Sequence, residues 1–458
     1  MKLKYLIPLS LLLLQACASV DSGKESASAA VDQEFQDLPT SWQSVATKVG
    51  PVENGWVAKF SDPKLDSLVA EAQTNNRDLR AAALNVEKSW LLAGQSSAAL
   101  APQVNASLGT SGSGDYEGQR GDQRSFGVQA NWELDVWGRV RSGEQAALRS
   151  AEAVEADYRF TQFSIAAAVS RAYFGAINAY QQADIAGDIV TALKETQRIV
   201  QAQYDNGVAS AQDKALSAAN LASANDTQTS AQAGAEDAVR ALEVLLGRYP
   251  SAELLVGVEL PNKPAAPPVG IPSEVLERRP DLIAAERRIA AAMKSVDQSK
   301  AARLPAISLT AATNGASQEL SDLLKPSNLL WTAAANLLVP IVDGGARRAQ
   351  IEVSTVEQKA AVEAYASAAL KAFSEVENAL ADGVTVEKRK GYLTEAAAAS
   401  TEALRLARLQ YEVGEIDLLS VLQLEQAAFG ARSNLLTIKR LELEQYIDLS
   451  VALGGDWQ

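Results

Sequence analysis

The chain states one pattern twice. Tyr204-Asp205-Asn206-Gly207 returns as Tyr411-Glu412-Val413-Gly414, and Leu246-Gly247 returns as Leu453-Gly454, both 207 residues later. Upstream, Asp78-Leu79 and Pro102 return as Asp281-Leu282 and Pro305, and Trp137-Gly138 lines up with Asp343-Gly344. The offset drifts only from 203 to 207, so the copies differ by small loop changes. A period this long is not a solenoid repeat of about 20–50 residues. It is a duplicated half-molecule, and each half must place the same elements in the same kind of surroundings.

Proline placement sets the length of those elements. None of the 15 prolines lies between 103 and 249, and none lies after 340. Proline breaks helix interiors, so two stretches are free to form very long helices. Residues 143–204 and 344–411, rich in Ala, Glu, Gln, Arg and Leu, read as such. At 1.5 Å per residue each spans roughly 90–100 Å. Each ends at a Tyr-x-x-Gly site, where glycine suits a left-handed helix terminus. A second helix then runs to Leu246-Gly247 or Leu453-Gly454, so each half carries a helical hairpin tipped by the repeated tetrad. Polar residues interleave throughout, which makes these helices coiled-coil-like rather than lipid-spanning.

Before each hairpin the texture changes to period two, the strand signature. Val104, Ala106 and Leu108 alternate with polar residues over 103–111, as do Phe126, Val128, Ala130, Trp132 and Leu134 over 125–134. A polar, Gly-rich loop, 112–124, separates them. The second half repeats this with Ile307, Leu309 and Ala311, then Trp331, Ala333, Ala335, Leu337 and Val339, around a loop at 315–328. Each strand has about ten residues, the length of a tilted strand crossing a bilayer. Helices at about 64–100 and 273–303 precede the strands, with Pro102 and Pro305 marking the switch. Between the halves, 250–272 holds six prolines and reads as an extended linker.

Four strands cannot close a transmembrane barrel, for which about eight is the lower limit. Open sheet edges in hydrocarbon leave backbone groups unpaired at several kcal/mol each. If these strands cross a bilayer rather than edge a soluble sandwich, the chain must share one barrel with copies of itself. Two copies give about eight strands, nearly filled by side chains, and three give about twelve, with an aqueous bore; strand physics alone does not choose.

The N-terminus is an export signal. Lys2 and Lys4 precede a short apolar core, Leu6 to Leu14, and Leu14-Gln15-Ala16-Cys17 follows at once. The core is shorter than the roughly 20 residues of a spanning helix. The ending resembles a bacterial lipobox, which makes Cys17 the acylated first residue of the mature chain, and Ala18 resembles an outer-membrane sorting signal. The organisation expected is a signal peptide over 1–16 and a lipidated, polar arm over 17–60 carrying Trp42 and Trp56. The first repeat then spans 61–249, with a β-hairpin at 103–136 and a tip near 204–210. The linker, 250–272, leads to the second repeat, 273–458, with a β-hairpin at 305–342 and a tip near 411–417.

Composition removes whole classes of function. There is no histidine and only one cysteine, so Ser-His and Cys-His nucleophile pairs and most zinc sites are excluded. No carboxylate cluster has a motif-like spacing; no enzyme activity, cofactor or metal is expected. The net charge of −14 argues against nucleic acid as a partner, because phosphate binding needs a basic face.

These residues carry a family likeness. Arg279-Pro280-Asp281-Leu282, Val339-Pro340-Ile341-Val342-Asp343-Gly344-Gly345, Tyr411-x-x-Gly414 and Ala452-Leu453-Gly454-Gly455-Asp456-Trp457 together resemble the TolC-like outer-membrane factors, in their lipoprotein (NodT-type) efflux branch. The resemblance implies a membrane α+β fold: a homotrimer with a 12-stranded outer-membrane β-barrel, four strands per chain, continuous with a 12-helix periplasmic α-barrel. It implies a passive efflux duct for drugs or other small molecules, contributing to antibiotic resistance. The duct would be docked to a periplasmic adaptor protein and an inner-membrane pump of the RND type.

The resemblance also assigns residues. Adaptor contacts fall on the tips, at Tyr204, Asn206, Gly207 and Val208 and at Tyr411, Gly414 and Ile416. Tyr411 matches the family's gate tyrosine and Asp213 the carboxylate it bonds. The chain departs from the pattern at Ile416, where some members carry arginine. It departs again at Ser420 and Gln423, where the family often lines its constriction with aspartates. That leaves Asp417 or Glu425 as the nearby carboxylates. The competing reading is a structural or adhesive coiled-coil lipoprotein without a pore, for which the two alternating hairpins have no use; a soluble periplasmic enzyme comes third.

Overall fold

A computed structural model describes residues 39, 41–44, 50–114, 116 and 120–457. The expected signal peptide, Cys17 and the first part of the arm lie outside the described residues. The described chain divides into two compact units. One comprises 84–157 and 281–368, the other 38–83, 158–280 and 369–458.

The first unit holds the strands. β1 (Gln103–Gly114), β2 (Arg120–Leu134), β3 (Ala306–Ser317) and β4 (Leu329–Leu338) form one sheet in the order β1-β2-β3-β4, with every pair antiparallel. The first loop is shorter than 112–124, because Ser and Gly continue the ladder as far as Gly114↔Arg120. The second loop is organised by two short 3-10 turns, Leu320–Asp322 and Pro326–Asn328, over a buried Leu323.

Register places one apolar row on one face: Val104 and Ala106 opposite Ala130 and Val128, Trp132 opposite Leu309, Ile307 opposite Leu337, and Thr313 opposite Trp331. Val104, Leu108 and Trp331 are largely exposed in the single chain. Asn105, Gln129, Asn131, Ser308 and Asn336 fall on the other face, where Gln129 and Thr310 bond Asn131. A sheet with one apolar and one polar face separates hydrocarbon from water. The two halves meet along β2–β3, while β1 and β4 have one neighbour each. Two tryptophans fasten the foot of the sheet: Trp132 Nε1 donates to the Leu100 carbonyl at 2.9 Å and Trp137 Nε1 to that of Pro305 at 2.8 Å.

The helices repeat in length. α3 (Arg139–Asp205) and α7 (Ala346–Glu412) have 67 residues each, and α4 (Ala211–Leu245) and α8 (Leu418–Ala452) have 35 each. The helices before the strands are each divided, contrary to the sequence expectation, into α1 (Pro63–Asn75) and α2 (Arg77–Ala98), and α5 (Pro272–Arg278) and α6 (Pro280–Ala301). Asn76 causes the first break by capping α2, its Oδ1 accepting the Leu79 N–H at 2.9 Å. Pro280 causes the second, because proline drives the residue before it out of the helical region; Arg279 is extended, at φ −73 and ψ 122. Among the described residues no helix is long and apolar enough to cross a membrane.

The second unit holds the main core, in which Trp56, Phe60, Phe174 and Tyr446 pack edge to face. The end of the expected polar arm is therefore core. Trp42 is also buried, donating from Nε1 to the Val269 carbonyl at 3.1 Å. Large aromatic surfaces with one polar handle find such niches even in a polar segment. The linker is pinned rather than free: the buried Glu243 carboxylate accepts the N–H groups of Ala252, Glu253 and Leu254.

Candidate functional site

Both helical hairpins turn on the same backbone device. At the first tip, Gly207 N–H bonds the Tyr204 carbonyl and Val208 N–H that of Gln203. At the second, Gly414 N–H bonds the Tyr411 carbonyl and Glu415 N–H that of Gln410. This paired closure absorbs the orphan carbonyls of a helix end and demands a left-handed residue. Gly207 and Gly414 supply it, at φ +74 and +79.

The following helices start with exchanged residues. α4 begins at Ser210, whose Oγ accepts the Asp213 N–H while the Asp213 carboxylate takes the Ser210 N–H and hydroxyl, a reciprocal capping box. α8 begins at Asp417, whose carboxylate accepts the Ser420 N–H at 2.8 Å. Serine then aspartate in one half becomes aspartate then serine in the other. Bonds from Ser210 hold the Asp213 carboxyl below its ordinary range, and bonds from Ser420 do the same for Asp417.

The two tips meet through Tyr411. Its hydroxyl donates to Gln203 Oε1 at 2.9 Å, and its ring packs against a cluster of Val190, Leu193, Val200, Leu418 and Leu422. Burial, and then the nearby Asp213 charge, push the phenol above its usual range. The expected Tyr411–Asp213 bond is thus replaced: Asp213 is committed to its own cap, and the tyrosine takes a neutral amide. The carboxylates expected to substitute for an acidic ring are committed too. Asp417 is a helix cap, and Glu425 is buried and paired with Arg408 at 2.6 Å. Ser420 sits at the cap, Gln423 is exposed and Ile416 is half-buried.

Tyr204 is 38% exposed with Lys214 over its ring, and Val208 and Val413 are more than 70% exposed. Asn206 bonds back to the Ala202 carbonyl. Sequence reasoning missed Gln203, Ser210 and Arg408. Gln203 had a signal, because the repeat extends one residue upstream of the tetrad, as Gln203-Tyr204 and Gln410-Tyr411. Among the described residues no group of His, Cys, Asp and Glu is arranged to hold a metal ion.

A duplicated chain with a four-stranded, two-faced sheet and paired long helical hairpins defines a channel whose barrel is shared between copies. The outer membrane efflux protein family model matches residues 68–248 and 271–455. The chain belongs to that family. It is 30% identical over 415 residues to the cation efflux system protein CusC of Escherichia coli, covering 88% of each chain. It is 28% identical over 466 residues to the probable outer membrane lipoprotein SilC of Salmonella typhimurium, covering 100% of this chain and 99% of SilC. The solved outer-membrane channel OprN superimposes with a TM-score of 0.82 at 28% identity, over 92% of this chain and 97% of OprN.

The protein is an outer-membrane efflux channel that extends into the periplasm, the outer-membrane component of a tripartite system with adaptor proteins and an inner-membrane pump. Its fold is the trimeric one, in which three four-stranded sheets close a barrel of twelve strands.

Proposed function

We propose that the channel is a passive duct gated at its helix tips, with the Tyr411 link as part of the gate. The observation that carries this is the Tyr411–Gln203 bond: a polar contact joins the ends of two helices that belong to different halves. One neutral bond contributes only about 1 kcal/mol, a strength a docking partner can overcome. The exposed tip residues Val208 and Val413, with Tyr204, Asn206, Gly207, Gly414 and Ile416 around them, form the adaptor-contact surface.

The pump is of the RND type, as the motif resemblance implies, and Cys17 is the acylated anchor in the outer membrane, a reading supported by the lipoprotein name of SilC. Cargo choice lies with the pump. CusC is named for cations and another relative, 31% identical over 412 residues, for toluene, a spread that suits a duct with little selectivity of its own.

The test is conductance of the purified trimer in planar bilayers. Tyr411→Phe is expected to raise mean conductance at least about fivefold, the equivalent of one neutral hydrogen bond at each of the three junctions opening independently, and to admit large antibiotics in cells. Unchanged conductance would remove Tyr411 from the gate.

A further inference from the structure

The Gln-Tyr-x-x-Gly motif occurs in both halves, but one chain uses only half of what it supplies. Tyr411 of the second half reaches Gln203 of the first. The counterparts by the 207-residue offset are Tyr204, in place of Tyr411, and Gln410, in place of Gln203. Both are exposed at their tips.

In a closed trimer the halves alternate around the ring, first, second, first, second. Every junction between a first half and its own second half is followed by a junction between that second half and the first half of the next copy. The sheet has the same logic: β2–β3 joins the halves within a chain, and the free edges β4 and β1 are left for the neighbour. Rotating the observed contact by one half-subunit carries Tyr411 onto Tyr204 and Gln203 onto Gln410.

We propose that the gate contains a second set of latches, between subunits, in which the hydroxyl of Tyr204 donates to the side-chain carbonyl of Gln410 on the adjacent copy. The inference rests on the gate reading for its function, but not for the contact itself.

The surroundings of the two tyrosines agree with it. Tyr411 packs, as do Ala209, Leu216 and Leu221 of the first half, against one buried cluster. Their counterparts by the same offset are Ile416, Gln423 and Ala428. Ile416 and Gln423 thereby acquire a role: they form the seat for the neighbour's Tyr204, half-buried and exposed respectively in the single chain, whereas Ala428 is already buried within it. The second latch differs in its charges. Asp213, whose charge acts on Tyr411, has Ser420 as its counterpart, while Lys214 already lies 4.7 Å from the Tyr204 ring centroid. The site is therefore complete only in the assembled ring, with one residue from each of two copies.

The experiment is cross-linking of the full-length trimer in membranes. A Tyr204→Cys/Gln410→Cys chain is treated with a thiol-reactive linker of about 10 Å, because a direct disulfide needs Cβ atoms about 3.8 Å apart, closer than a Tyr–Gln pair brings them. Linked dimers and trimers are expected on denaturing gels, and neither single variant should give them. A Gln203→Cys/Tyr411→Cys chain should link internally and run as a monomer. Internal linking of this control, with no linked oligomer from the 204/410 pair, would overturn the proposal.

Conductance separates the contact from its function. Tyr204→Phe is expected to raise conductance about fivefold, as one neutral bond lost per junction implies, and Tyr204→Phe/Tyr411→Phe to exceed either alone. Linked oligomers with unchanged conductance from Tyr411→Phe and Tyr204→Phe would keep the contact and reject the gate reading. Raised conductance from Tyr411→Phe alone, without linked oligomers, would keep the gate and reject the second latch.

Discussion

Tip one and tip two have the same backbone and different side-chain chemistry. Gly207 and Gly414 close them with the same pair of hydrogen bonds, yet Tyr204 stands open while Tyr411 is drawn across to the other hairpin. Serine and aspartate exchange places at the caps that follow. The opposite ends of the same hairpins repeat the lesson. Asn76 donates to the Leu245 carbonyl at 2.8 Å, and at the matching place Arg279 reaches the Ala452 carbonyl at 3.4 Å and the Glu375 carboxylate at 2.5 Å. Duplication has kept the main-chain solution and let the side chains diverge. At the caps and at Asn76 and Arg279 both halves are satisfied within the chain; at the tips Tyr411 is bonded and Tyr204 is left exposed.

The sheet offers the largest effect with which to break the comparison. Val128 in β2 and Ala333 in β4 both lie on the apolar face. An arginine there costs about 2–4 kcal/mol near the bilayer midplane. Val128→Arg and Ala333→Arg should therefore fail alike, each leaving little heat-resistant trimer in outer-membrane fractions. Normal assembly of either would show that its half does not face lipid.

The helix-end glycines sharpen the comparison at a smaller scale. Gly247 and Gly454 have left-handed backbones at φ +73 and +71, as the tip glycines do. A side chain in that region costs about 1–2 kcal/mol. Around Gly207 and Gly414 a Cβ would meet nothing within 4 Å; at Gly454 it would lie 3.2 Å from Arg278; at Gly247 it would strike the Asn75 carbonyl oxygen. Alanine substitutions should destabilise in the order Gly247, then Gly454, then Gly207 and Gly414 together, read from denaturant midpoints. Equal effects at all four would mean that the Asn75 carbonyl moves aside at little cost.

Much of this was legible in the sequence, for identifiable reasons. Proline-free stretches gave α3 and α7 to within about five residues, because nothing interrupts a helix there. Alternation gave the strand faces, because a pleat has period two. The helix breaks at Asn76 and Arg279 were hidden, since asparagine caps only when a backbone N–H is placed to use it, and Pro280 both ends α5 and opens α6 within a stretch that looks like one helix. Residues 50–60 looked polar because their few aromatics, Trp56 and Phe60, are diluted by charge, while burial is decided by partners far away in sequence. The choice of acceptor for Tyr411 was illegible because Asp213 has two possible uses, and only the geometry around Ser210 assigns it to the cap.

The smallest expected effect concerns a group that one half has and the other lacks. Glu243, near the end of α4, is buried. Burial by itself would raise its carboxyl; the N–H groups of Ala252, Leu254 and Glu253 and the Ser251 hydroxyl outweigh that and leave it below its ordinary range. The counterpart in α8 is Ser450, whose hydroxyl bonds the Tyr446 carbonyl and does not titrate near acid pH. A carboxyl with a lowered folded-state pKa contributes stability that is fully present above its unfolded value, about 4.3, and is lost as pH falls through the folded value. Acid should therefore loosen the first half's linker brace before anything at the matching place in the second. Glu243→Gln should cost about 1–2 kcal/mol at neutral pH, since hydrogen bonds to a charged acceptor are the stronger ones. The same variant should lose less than the natural chain on acidification from pH 5 to pH 3, as followed by thermal unfolding of the detergent-solubilised trimer. Parallel pH profiles for the two would mean that Glu243 keeps its brace while protonated, and that the asymmetry between the halves has no titratable component at this end of the hairpins.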